Sequence, residues 1–153
     1  MSRLMGCGVA MAMVAGLTAG GFAQTPAKTT APAAIDAAFK KAYPNATIKN
    51  VMKETLNGKT VYEVESVDNG RGRNINYNPD GSVVLIEDEM TAAEFPAAVT
   101  AAIMKRYPKA TIVLREKLTI TKGSLLHYEA ELKGAEPVTE VILTVDGKWV
   151  LPK

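Results

Sequence analysis

Two stretches of this chain place apolar residues at helical spacing, and most of the remainder alternates apolar with polar. Ile35, Phe39 and Tyr43 recur four residues apart, as do Val99, Ile103 and Tyr107, so each set forms one stripe along a helix. Pro32 and Pro96 suit the first turn of those helices, where an absent N–H has no partner to lose. Pro44 and Pro108 end them, because the residue before a proline is pushed out of the α region. Thr91 and Glu94 have the spacing of a capping box, yet a helix begun there would contain Pro96. The spacing therefore predicts a separate turn ahead of the second helix.

The alternating stretches read as strands of an antiparallel sheet with one face against a helix. Tyr62 and Val64 point to the apolar face while Glu63 and Glu65 point away; farther on, Tyr128, Ala130 and Leu132 oppose His127, Glu129 and Glu131. Ile75 and Tyr77 oppose Asn74 and Asn76, and Val141, Leu143 and Val145 oppose Glu140 and Thr144. Asp80-Gly81 and Asp146-Gly147 are tight turns into strands over 82–87 and 148–151. By the same alternation Val83 and Trp149 belong to the core side, while Val84, Ile86, Ile142 and Val150 share the face of the glutamates.

These elements come twice. Residues 31–48 lie over 95–112 at an offset of 64, with eleven of eighteen positions identical. Tyr62-Glu-Val-Glu65 lies over Tyr128-Glu-Ala-Glu131, and Asp80-Gly81 over Asp146-Gly147, at an offset of 66. The expected architecture is α+β, with two tandem repeats at 32–90 and 91–153, each one helix packed on a four-stranded antiparallel meander. Two such sheets can run together into one broad curved surface with both helices behind it.

Ahead of the repeats stands a leader. Arg3 supplies a positive start, Leu4 to Leu17 is apolar but diluted by glycine, and Gly21-Phe22-Ala23 offers the small residues that a signal peptidase reads. Residues 1–23 are thus expected to be a cleaved export signal rather than an anchor, and 24–31 a polar linker. The single cysteine, Cys7, leaves with the leader, so a disulfide is excluded and a packed core must hold the mature chain. The net charge of +2 falls by one with Arg3, which gives no reason to expect nucleic acid or an anionic membrane as partner. The expected destination is the periplasm or the medium.

The inventory for catalysis is thin. One histidine and no mature cysteine exclude Cys/His nucleophilic sites and cysteine-rich zinc sites, and neither Gly-x-Ser-x-Gly, a phosphate loop nor His-Glu-x-x-His is present. The chain is accordingly read as non-catalytic and without a cofactor. What stands out is an acidic sheet face. His127, Glu129 and Glu131 form one row, Glu63 and Glu65 a second, and Glu140 adds a further carboxylate. A row along one strand spreads its ligands instead of converging them on a metal, so these six residues are the candidate contact for a protein or peptide partner, with ordinary solvation as the alternative. Lys40, Lys41, Lys105, Arg106 and Lys109 gather at the helix ends, and Arg71-Gly72-Arg73 reads as an exposed basic turn.

Helix, Tyr-Pro-x-Ala-x-Ile, a strand with Tyr-Glu-x-Glu and a strand ending in an Asp-Gly turn, twice over, resembles the PepSY-like, β-lactamase-inhibitor-protein-like group of exported bacterial proteins. The matching positions are structural: Tyr43-Pro44, Tyr107-Pro108, Tyr62, Tyr128, Gly81 and Gly147. The resemblance implies an interaction module of the cell envelope, with inhibition of a secreted or periplasmic hydrolase as its role. A periplasmic binder of a small molecule or cation is the alternative.

Overall fold

Both helices are held by the same local device. α1 (Ala33–Ala42) and α2 (Ala97–Arg106) follow directly on Pro32 and Pro96. Each closes with a tyrosine N–H, of Tyr43 or Tyr107, donating to the carbonyl four residues back at 2.8 Å. Lys40 and Lys41 in one last turn and Lys105 and Arg106 in the other complement the helix dipole. The turn expected ahead of α2 is present. The Thr91 N–H and hydroxyl donate to the Glu94 carboxylate at 2.9 and 2.8 Å, and the Glu94 N–H donates back to the Thr91 hydroxyl.

The computed structural model describes residues 27–56, 58–121 and 125–151; the leader expected at 1–23 lies outside them. The strands are β1 (Ala27–Lys28), β2 (Thr47–Leu56), β3 (Lys59–Asp68), β4 (Arg71–Tyr77), β5 (Val83–Glu89), β6 (Thr111–Ile120), β7 (Leu125–Lys133), β8 (Glu140–Leu143) and β9 (Trp149–Leu151). They form one open antiparallel sheet in chain order, from β1 at one edge to β9 at the other. The broad single sheet expected from the alternation is therefore observed. Ala27 and Lys28, read as linker, instead pair with Lys53 and Met52 and supply the edge strand.

Helices and strands meet in two apolar clusters on one face of the sheet. Ile35 and Phe39 of α1 pack on Val51, Val64, Ile75 and Tyr77; Val99 and Ile103 of α2 pack on Tyr128, Ala130, Val141 and Leu143. Trp149 joins the second cluster from its margin, edge-on to Tyr107 and beneath the Arg106 guanidinium, which places it on the core side as its alternation predicts. Two positions depart from expectation. Ile86 faces the α1 core and pairs with Ile75, because a bulge at Asn76/Tyr77 shifts the phase of β5. Val145 is exposed, because β8 ends at Leu143.

Between the clusters, charges do the joining. Arg71, Gly72 and Arg73 are not a loop but the first residues of β4. Arg73 donates to Asp88 at 2.6 Å and stacks over the Tyr43 ring, Lys117 reaches the other Asp88 oxygen at 3.5 Å, and Arg71 donates to Glu94. The turn leading α2 and strand β6 are thereby tied to β4 and β5 of the first half around a cavity of about 390 Å³.

Gly81 and Gly147 take φ of +84° and +79° in the turns before β5 and β9. A Cβ there would stand 2.8 Å from the Ala34 carbonyl oxygen and 2.7 Å from that of Ala98, both helix backbone. Each turn therefore rests directly on a helix, as only glycine allows. Gly81→Ala and Gly147→Ala should each cost about 2–4 kcal/mol in urea denaturation, from left-handed strain plus backbone collision. Gly58→Ala, also at positive φ but in open space, should cost about 1 kcal/mol. Near-wild-type stability in both helix-facing variants would contradict this packing.

Candidate functional site

The register places the polar side chains of the sheet in rows across its helix-free face. One row runs Met52, Glu63, Asn76, Leu85 and Ile120 from β2 to β6. Its neighbour runs Asn50, Glu65, Asn74, Glu87, Leu118 and His127. A third holds Glu89, Glu116, Glu129, Ile142 and Leu151, and a fourth Leu114, Glu131 and Glu140. Glu54 sits one row outside Glu63, opposite Val61. The six candidate residues thus share one face, with Glu63 and Glu65 in the first half of the sheet and His127, Glu129, Glu131 and Glu140 in the second. Ile142 joins them as expected, whereas Leu151, not Val150, pairs with it after the last bulge.

This face is not solvated in the way its composition suggests. Glu63 is 1% exposed, and Glu87, Glu116, His127 and Glu129 are buried; Glu65 and Glu140 are half-buried, and Glu131 is exposed. Both helices pack on the opposite side, and among the described residues no second layer covers this one. Bulges at Ile48/Asn50, Asn76/Tyr77, Ile112/Leu114 and Ile142/Leu143 bend the strands and increase their twist.

Burial reverses the expected protonation. It holds the Glu63 carboxyl far above the usual carboxylate range, reinforced by the hydrogen bond and charge of Glu54 and by the charges of Glu87 and Glu65. Glu129 is raised in the same way, by burial first and then by Glu140, Glu87 and Glu116. Burial pushes Glu116 up to about 8, with Glu87 and Glu140 adding to it. Glu87 rises to about 7 for the same reason, moderated by a hydrogen bond from Asn74. Burial also lowers His127, which favours its neutral form. The centre of the face therefore consists largely of neutral acids that can donate hydrogen bonds.

Several polar atoms on this face have no hydrogen-bond partner: Asn50 Oδ1, Glu54 Oε1, Glu63 Oε2, His127 Nδ1 and both ends of the Asn76 amide. Of these, the sequence marked only Glu63 and His127. Glu54, Glu87 and Glu116 were missed because they acquire meaning from register, and Asn76 because it looked like the ordinary polar side of a strand. Among the described residues, no group of three or more His, Cys, Asp or Glu is arranged to hold a metal ion. What the face offers is hydrogen bonding and proton exchange.

Residues 31–85 match the PepSY family, described as peptidase propeptide and YPEB domain. No curated protein matches the chain significantly. In fold it is similar to a candidate periplasmic protein of Bacteroides eggerthii, at 20% identity and TM-score 0.64 over 80% of this chain and 87% of that one. It is similar also to a DUF2874 family protein of Bacteroides uniformis, at 22% identity and TM-score 0.62 over 79% and 87%. A BLIP-like protein of Bacteroides fragilis matches at 21% identity and TM-score 0.57 over 76% and 81%. The resemblance read from the sequence holds as a domain match in the first half and as a shared fold over most of the chain. No helix among the described residues is long and apolar enough to cross a membrane.

Carboxyls raised above their ordinary 4.5 make the folded chain hold protons that the unfolded chain releases. Their stabilisation is complete below pH 4.5 and is lost as pH rises through about 7 for Glu87 and 8 for Glu116. His127 acts oppositely below its ordinary 6.5, so the carboxyl slope is clearest above that pH. Urea denaturation should show stability falling by about 1.4 kcal/mol per pH unit for each extra proton held, between about pH 6.5 and 8. Glu116→Gln should flatten the slope. A profile that is flat or rises in the wild type would contradict the protonated face.

Proposed function

We propose, on the premise that this is a PepSY-like chain with a BLIP-like fold, that it is an exported, non-catalytic module binding a protein or peptide partner through the helix-free face of its sheet. The observation that carries this reading is a wide sheet face with no covering layer, lined with buried hydrogen-bonding groups that the fold itself leaves unpartnered. Proteins that bury polar groups normally satisfy them, and a partner laid across the face would supply the missing hydrogen bonds.

The finer reading is of two tandem PepSY-like repeats, 32–90 and 91–153, acting as one surface. The internal sequence match and the order of a helix followed by four strands on each side of Met90 support it. Export to the periplasm or medium rests on the leader at 1–23 and on the periplasmic description of one structural relative. The family's description as a peptidase propeptide domain, together with the BLIP-like relative, supports a hydrolase as the partner and inhibition as the outcome. Glu65, Glu131 and Glu140 at the rim set the first electrostatic contact, and Glu63, His127 and Glu129 lie at the centre where the partner's side chains arrive.

Photo-crosslinking in the native envelope fraction tests this. A photoreactive side chain at Glu89 or Glu131, both exposed on the sheet face, should capture one common protein, and one at Ala37 or Ala101, exposed on the helices, should not. The captured protein, once purified, should lose hydrolytic turnover when this chain is added. Capture only from the helix positions would overturn the assignment of the face, and undiminished turnover would remove inhibition.

A further inference from the structure

The first half of the polar face pays an energetic cost that the second half avoids. Glu63 is paired in register with Asn76, whereas Glu129, at the corresponding place in the second half, is paired with Ile142. Asn76 is 0% exposed and neither its Nδ2 nor its Oδ1 has a partner, while Ile142 fills the equivalent site with hydrocarbon at 1% exposure. The fold therefore accepts an apolar residue there, and the buried amide is a cost without a structural return.

The neighbouring atoms indicate what would offset it. Asn50 Oδ1 and Asn76 Oδ1 are acceptor oxygens without donors, and Glu54 and Glu63 add a carboxyl pair that shares a proton and keeps Glu54 Oε1 and Glu63 Oε2 open, over the adjacent strands β2, β3 and β4. Neighbouring strands lie about 4.8 Å apart, so Glu63 on β3 stands between Glu54 on β2 and Asn76 on β4, where a planar group with several N–H donors can be shared among them, whereas Asn50 lies about 13 Å from Glu54 along β2 and is outside its reach. The charged groups on this face of β1 to β5 are Glu54, Glu65, Glu87 and Glu89, with two exposed lysines at its margin, Lys28 beside Met52 and Lys59 at the hairpin end. Arg71, Arg73 and Lys53 fall on the helix side by register. Met52, the half-buried register partner of Glu63, is flexible enough to open the row from its outer edge.

We propose that the Glu54, Glu63 and Asn76 cluster is a subsite for the guanidinium of an arginine presented by a protein partner. On binding, the proton shared by the Glu54–Glu63 pair leaves to solvent. The resulting carboxylate then has acceptor sites for both the guanidinium and the Asn76 amide N–H, so the orphaned groups of Glu54, Glu63 and Asn76 gain partners. Because a proton is released, affinity rises with pH until the pair is ionised in the free protein. This rests on the assignment of the face to a protein partner and adds the chemistry of one contact.

The test uses propylguanidinium as the probe and neutral propylurea as its shape control, read by backbone amide shifts in the intact protein. Propylguanidinium should move residues 63 and 76, with affinity rising by up to about tenfold per pH unit between pH 6 and 8. Glu63→Gln should weaken it at least about tenfold. Asn76→Ile should weaken it similarly while melting roughly 5 °C higher than wild type, since a buried orphan amide is removed. A merely structural Asn76 would give a less stable variant, and that result overturns the proposal. So does equal binding of propylurea, or affinity that ignores pH. If photo-crosslinking from the sheet face still captures a partner while propylguanidinium leaves residues 63 and 76 unmoved, the docking face stands and the arginine subsite falls. Probe binding without any captured partner has the opposite meaning for the two.

Discussion

A carboxyl group taken out of water keeps its proton unless a cation meets it there, and the helix-free face of this sheet is built around that condition. Glu63, Glu116 and Glu129 are buried in this surface, and its basic groups, Lys28 beside Met52 and Lys59 at the hairpin end, stay exposed at the margin. Arg73 and Lys117 are committed to Asp88 on the other side of the sheet, and Lys40, Lys41, Lys105 and Arg106 stand at the helix ends. The face is most stable with these carboxyls neutral, so the protonation of a few glutamates contributes to the fold. The same protonation makes the face responsive, since anything that supplies positive charge or raises pH changes its hydrogen-bonding character.

The two faces of the sheet divide the work. On one, aliphatic and aromatic residues of both helices and eight strands form the two apolar clusters that hold the chain together. The helix ends are closed by proline, tyrosine and glycine contacts that recur in the two halves with the same geometry. That stability permits polar groups to be left unsatisfied on the other face, as at Asn76 and His127, where sequence chosen for stability alone would place hydrocarbon.

Much of the architecture was legible because it is set locally. Four prolines bracket two helices, their stripes name Ile35, Phe39, Val99 and Ile103 as core, and alternation assigns Tyr62, Val64, Tyr128 and Ala130 to the same side. Burial of the opposite face was not legible, since it depends on how far the whole sheet curls and hence on four bulges that no residue type announces. The bulge at Asn76/Tyr77 also reversed the reading of Ile86. Glu54 and Glu116 could have been found only by knowing that they sit beside Glu63 and opposite Glu129, which is information about pairing and not about spacing. Ala27 and Lys28 carry no strand signal of their own and are ordered by the edge they join.

The central claim is that the glutamates of this face are neutral acids in the folded protein, and the ¹³C chemical shifts of their side-chain carboxyls measure that directly. Titrated from pH 4 to 9, the carboxyls of Glu63, Glu116 and Glu129 should still be protonated at pH 7, while that of exposed Glu94, held down to about 2 by the Thr91 N–H and Arg71, should be ionised throughout. Midpoints near the ordinary 4.5 for the three buried groups would mean that water reaches them and would contradict the account.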